Sequence, residues 1–106
     1  MRLIKYILLI MIFANPYIFA YQKLVLVSSE YCRYCKAFTP LVEKLSQDES
    51  ITLEQLDYYS AIDKAIPDFG VPSLFLVVGD SYYLVSAGYV DYDNLRKMFY
   101  AAFREF

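Results

Sequence analysis

No histidine occurs anywhere in the 106 residues. That absence removes several mechanisms at once, because histidine is the side chain that titrates near neutrality and the commonest metal ligand. Cysteine is nearly as scarce, with Cys32 and Cys35 the only two. Zinc wants four ligands, so a zinc site here needs a second chain or carboxylates. Covalent c-type haem needs a histidine directly after the second cysteine, and position 36 is lysine. No metal and no separate cofactor is therefore expected. Clustered Lys and Arg are also missing, which argues against nucleic acid as a partner. No internal repeat, linker or low-complexity tract interrupts the chain.

Hydrophobic runs are few, and the longest is at the start. Arg2 and Lys5 precede an apolar run from Tyr6 to Ala14, Asn15-Pro16 breaks it, and Ile18-Phe19-Ala20 offers an imperfect cleavage point. A basic start, a short apolar run and a small residue make up a secretory signal. The stretch from Tyr6 to Tyr21 is short of the roughly 20 apolar residues that span a bilayer comfortably. Residues 1–20 are expected to be a cleaved signal peptide, with an uncleaved membrane tether as the alternative. Residues 21–106 then form one small domain. It carries eight Lys/Arg against twelve Asp/Glu, a net charge near −4. Export, to a periplasmic or other extracytoplasmic compartment, agrees with a cysteine pair, since disulfides persist outside the cytosol.

The two cysteines stand where a strand hands over to a helix. Leu24 to Val27 is a short apolar run, and Ser28-Ser29 follows it. After Cys32-Arg33-Tyr34-Cys35, the residues Phe38, Leu41, Val42 and Leu45 recur at helical spacing. A thiol at a helix N-terminus faces unpaired N–H groups and the positive end of the helix dipole. Both favour the thiolate, which is the reactive species. The pattern points to reversible thiol–disulfide exchange, with Cys32 as nucleophile and Cys35, one turn later, as resolving thiol. Arg33 adds a fixed cation beside the pair. Glu30, Tyr34 and Lys36 join it as the neighbours expected to tune the pair or relay protons. A purely structural bridge would close too short a loop to stabilise much.

Downstream, Lys23–Ser28 reads as a buried strand and Cys32–Gln47 as a helix carrying Pro40, which removes one backbone bond. Ile51–Asp57 alternates like a half-covered strand, and Ser60–Ile66 fits a short helix. Ser73–Val78 and Ser81–Ser86, around Gly79-Asp80, fit a hairpin. A last helix, capped by Asp91 or Asp93, shows Leu95, Met98, Phe99, Ala102 and Phe103 on one face. The order β-α-β-α-β-β-α places this chain in the α/β class. Strands separated by helices are expected to run parallel, with the hairpin adding an antiparallel edge. The tyrosine pairs Tyr58-Tyr59 and Tyr82-Tyr83, with Tyr89 and Tyr92, suit half-buried rims, or the wall of a peptide groove.

In these features the chain resembles thioredoxin-fold proteins, and within them the exported thiol:disulfide oxidoreductases. The resemblance spans nearly all of residues 22–104. It rests on the C-x-x-C after a buried strand, on Pro40 five residues later, on Phe69-Gly70-Val71-Pro72-Ser73 before an apolar strand, and on Gly88 before the last helix. It implies a mixed four-stranded sheet flanked by helices, and a cis Pro72 against the disulfide. It also implies a Val71 whose main chain pairs with an extended substrate. Departures are clear: Leu26 stands where thioredoxins bury an aspartate, Tyr31 where they carry tryptophan, and Arg-Tyr where they carry Gly-Pro. No helical insertion of the kind found in bacterial disulfide oxidases fits between Cys35 and Pro72. Partners implied are exported cysteine-containing proteins and a membrane electron carrier or oxidant, met by a monomer. Direction stays open, since Arg33 and the missing aspartate favour an oxidant and the small size favours a reductase. Two rivals stand beside the enzyme: a non-catalytic binding module, chaperone or adaptor, and a membrane-tethered subunit of a redox complex.

Overall fold

The computed structural model describes residues 22–104, and the leader expected at residues 1–20 lies outside them. Seven elements follow in order: β1 (Gln22–Ser28), α1 (Arg33–Asp48), β2 (Thr52–Asp57), α2 (Tyr58–Asp63), β3 (Ser73–Val78), β4 (Ser81–Ala87) and α3 (Tyr92–Phe103). The strands form one mixed sheet in the order β2-β1-β3-β4. Among the described residues, no helix is long and apolar enough to cross a membrane.

β1 lies at the centre, and its composition explains why. All of Leu24, Val25, Leu26 and Val27 are buried, because both faces of the strand are covered. Leu24 and Leu26 face a core that α1 closes with Phe38, Val42 and Leu45 and α3 closes with Leu95, Phe99 and Ala102. Val25 and Val27 face a smaller core on the other side, with Phe75, Val77, Ala61 and Ile66. Successive strand side chains point to opposite faces, so a continuous apolar run marks a strand buried twice.

β1 and β2 run parallel, in the register Leu24↔Leu53 to Ser28↔Asp57. β3 runs antiparallel to β1, contrary to the expectation that a helix between strands keeps them parallel. The length of α2 supplies the reason. Six helical residues cover about 9 Å, while a six-residue strand covers about 20 Å, so α2 by itself does not carry the chain back along the sheet, and residues 64–72 form neither helix nor strand that would complete the return. The chain re-enters at the end it left, and Ser73 pairs with Val27.

α2 begins at Tyr58 rather than Ser60 because Asp57 caps it. Its carboxylate accepts from the N–H groups of Tyr59 and Ser60, which satisfies two donors that a helix start leaves unpaired. Ala65, at φ 58°, ends it in the left-handed region. The N–H of Ile66 reaches back to the carbonyl of Ala61, and that of Ala65 to Ile62, as in a Schellman ending. Ile66 stays in the small core without being helical.

Two tyrosine–carboxylate hydrogen bonds join the end of α1 to α3: Tyr92 donates to Asp48, and Tyr100 to Glu49. Lys44 sits 4.3 Å over the Tyr92 ring. Burial first, then the bond to Asp48, pushes the Tyr92 phenol from 10.0 up to about 12. A group whose folded pKa is raised contributes stability that is complete below its unfolded value and is lost as pH rises through the folded one. Wild-type protein is therefore expected to lose stability between about pH 10 and 12 more steeply than Tyr92→Phe. Thermal melts followed by circular dichroism across that range check it; parallel curves would remove the linkage.

Candidate active site

Four chain segments meet at one end of the sheet, and the register dictates which. β1 ends at Ser28 and leads into Ser29–Cys32. Ser28 pairs with Asp57, where β2 turns into α2. Val27 pairs with Ser73, so Val71-Pro72 arrives beside the same end. Ser73 also pairs with Ala87, which brings in Gly88 and Tyr89.

Cys32 is the N-cap of α1, with an extended backbone and its Sγ accepting the N–H of Cys35 at 3.1 Å. Its own N–H donates to the carbonyl of Ser29 at 3.1 Å, which fixes the approach of the chain. Cys32 and Cys35 are joined in a disulfide, with Cα atoms 5.1 Å apart. Cys35 is only 3% exposed and sits on the buried stripe with Phe38, Val42 and Leu45, whereas Cys32 is half-buried. An incoming thiolate therefore meets Cys32 first. Pro40 lies inside α1 and offers no N–H to Lys36. Just before it, Thr39 Oγ1 donates to the carbonyl of Cys35 at 2.8 Å.

Pro72 is buried, and the Val71–Pro72 peptide bond is cis. The Pro72 carbonyl accepts the N–H of Gly88 at 2.7 Å. Among the described residues, the N–H and C=O of Val71 take part in no backbone hydrogen bond. This leaves one unpaired peptide edge next to the cysteine motif. Phe38 of α1 meets the ring of Tyr89 edge-on, with centroids 6.0 Å apart. The motif helix and the Gly88 turn are thereby packed together.

Arg33, Tyr34, Glu30 and Lys36 all stand exposed around the motif. Tyr31, just before Cys32, is 90% exposed, an unusual position for a large aromatic. Leu26 is fully buried in the larger core, so an apolar side chain occupies the place where a buried carboxylate would assist Cys35.

One connection was not expected from the sequence. Asp68 accepts from the Tyr58 hydroxyl at 2.6 Å through one oxygen and from the N–H of Gly70 at 3.0 Å through the other. The Tyr58 bond, then the Gly70 N–H, hold the Asp68 carboxyl below its usual range, and the same bond raises the Tyr58 phenol. Asp68-Phe69-Gly70 is an Asx-turn, with Gly70 at φ 81°. Asp-x-Gly was the signal available in the sequence. Asp68 thus ties the tyrosine pair after β2 to the turn that delivers Val71.

No protein family model and no curated protein sequence matches this chain. Solved structures do. Thioredoxin 1 from Thermosipho africanus superposes with a TM-score of 0.61 at 15% identity, over 77% of this chain and 94% of that one. Fasciola hepatica thioredoxin gives 0.60 at 15% identity, over 76% and 80%. Oxidised thioredoxin O2 from Arabidopsis thaliana gives 0.54 at 17% identity, over 76% and 73%.

The fold is thioredoxin-like.

Its C-x-x-C pair forms a disulfide at the start of the first helix. Among the described residues, no group of three or more His, Cys, Asp or Glu gathers to hold a metal.

Proposed function

We propose that this protein is a thiol–disulfide oxidoreductase that exchanges disulfides with cysteines of exported proteins. One observation carries the reading: Cys32 is accessible at the head of α1 with the Cys35 N–H on its sulfur, while its partner Cys35 is buried. In the oxidised protein, a substrate thiolate attacks Cys32 Sγ, the Cys32–Cys35 bond breaks, and Cys35 leaves as a thiolate that takes up a proton. The substrate's second thiolate then attacks its own sulfur in the mixed disulfide and releases the Cys32 thiolate. Two electrons pass from substrate to protein, and the reverse sequence reduces a substrate disulfide.

Val71 binds the substrate through its main chain, lying as it does beside the motif with no backbone partner of its own. Arg33 supplies a fixed positive charge that favours the Cys32 thiolate, and Glu30, Tyr34 and Lys36 modulate it. The basic start and short apolar run of residues 1–20 support export. There the protein works as a monomer, recharged by a membrane electron carrier or oxidant.

The test is the reduction potential of the pair. The full chain has no other thiol, so alkylation and mass measurement after equilibration in glutathione buffers count the oxidised fraction directly. A value near −270 mV makes it a reductase, and one of about −120 to −180 mV makes it an oxidase or isomerase. A pair that never equilibrates would overturn the enzyme and favour the non-catalytic binding module.

A further inference from the structure

Beside the disulfide, on the β2 side, lies a cleft of about 410 Å³ lined by Ser29, Glu30, Tyr31, Asp57, Tyr58 and Tyr59. Three of its six residues are tyrosines, two are carboxylates, and none is basic. Tyr58 and Tyr59 meet edge-on with centroids 5.7 Å apart, and Tyr58 is held by its bond to Asp68. Tyr59 is 77% exposed, so its ring is not core, while Tyr58 packs its partly buried ring against the smaller core. Asp57 spends one oxygen on the N–H groups of Tyr59 and Ser60 and the other on the Ser60 hydroxyl. Glu30 has no ion-pair or hydrogen-bond partner among the described residues.

We infer that this cleft receives the side chain of a lysine or arginine close to the reacting cysteine of the substrate polypeptide. The inference rests on the exchange reaction proposed above and names its substrate class. Electron-rich ring faces attract a cation, and a nearby carboxylate adds to that attraction. An apolar side chain would instead desolvate Glu30 without replacing its hydration, which costs free energy. An acidic one would meet like charge. Position fixes the reach: Tyr31 adjoins Cys32, and consecutive Cα atoms lie about 3.8 Å apart. A basic residue about two positions from the substrate cysteine therefore falls over the cleft while the cysteine sits on Cys32. The link through Asp68 holds this wall in fixed relation to Val71, where the substrate's main chain lies.

The test uses the reduced full chain and cysteine peptides carrying thionitrobenzoate in disulfide linkage, identical except for lysine, leucine or glutamate two residues from the cysteine. The Cys32 thiolate attacks the peptide sulfur and expels the coloured thionitrobenzoate anion, the better leaving group. Cys35 then attacks Cys32, re-forms the intramolecular disulfide, and its proton goes to the departing peptide thiolate. Two electrons pass from the protein to the substrate disulfide. The lysine peptide is expected to react about 3- to 10-fold faster than the leucine peptide, with glutamate slowest. The advantage shrinks as salt rises. In Glu30→Gln/Tyr59→Leu the lysine-to-leucine ratio, measured within that variant, falls to near one. Equal rates for the three peptides would overturn the proposal, and so would a preference that survives the double substitution. Uncharged 2-hydroxyethyl disulfide separates the two levels. If it is reduced and the peptides do not differ, exchange stands and the cleft does not; if it is not reduced, exchange itself fails.

Discussion

Cys32→Ser is expected to bring thiol–disulfide exchange down to the uncatalysed background, a fall of at least about 10³-fold, or roughly 4 kcal/mol of barrier. Serine keeps the N-cap, since its hydroxyl also accepts from the backbone N–H that Cys32 Sγ receives from Cys35. It cannot form a disulfide. Nor can Cys35 substitute, because its 3% exposure keeps incoming sulfur away. Cys35→Ser gives the opposite signature. The accessible thiol still attacks, but nothing resolves the adduct, so a covalent mixed disulfide accumulates to one equivalent and is seen in the intact mass. Loss of activity through unfolding is excluded by comparing melts. The bridge closes a loop of four residues, so its removal costs at most about 2 kcal/mol by the chain-entropy relation. A Cys32→Ser protein that still turns over substrate would end the assignment of Cys32 as nucleophile, and a Cys35→Ser protein that fails to trap would end the two-thiol sequence.

How much of this was written in the sequence depends on the range of the interaction. Local patterns were legible. The run Leu24–Val27 declared a strand covered on both faces, and the spacing of Phe38, Val42 and Leu45 declared the face of α1. Cys32 at the strand-to-helix junction declared the helix start, although the helix itself begins one residue later, at Arg33, with Cys32 as its cap. What depends on pairing between distant segments was not legible. The direction of β3 goes with the shortness of α2, which is ended by the left-handed turn at Ala65, a residue with no sequence signal for such a turn. The cleft needs Ser29–Tyr31 and Asp57–Tyr59 side by side, which only the Ser28↔Asp57 register brings about. Asp68 announced a turn through Asp-x-Gly, but its bond to Tyr58 spans ten residues and has no sequence period to betray it. Tyrosines were legible as rim residues, and not as to which rim. Tyr92 turned to Asp48, while Tyr59 stayed exposed beside the motif.

Phe38→Ala is expected to remove most of the domain's stability. Phe38 is fully buried, one turn beyond Cys35, in the core that joins α1, α3 and the sheet. Truncating a buried phenylalanine costs about 3–5 kcal/mol, partly as lost transfer energy and partly as the cavity left behind. At about 0.05–0.15 kcal/mol per residue, the 83 residues from 22 to 104 hold only about 4–12 kcal/mol in total. A domain of this size loses about 4–8 °C of Tm per kcal/mol, so a drop of about 12–40 °C is expected. Phe38→Leu keeps most of the volume and should cost well under half as much. The same ring carries a consequence for the site, because its edge-on contact with Tyr89 joins the motif helix to the Gly88 turn, whose N–H holds the Pro72 carbonyl. In Phe38→Ala, measured well below its lowered Tm, exchange with peptide substrates should therefore slow more than exchange with 2-hydroxyethyl disulfide, which has no main chain to lay against Val71. Equal slowing of both would mean that Phe38 supports the thiols alone and that the Val71 edge stands without it.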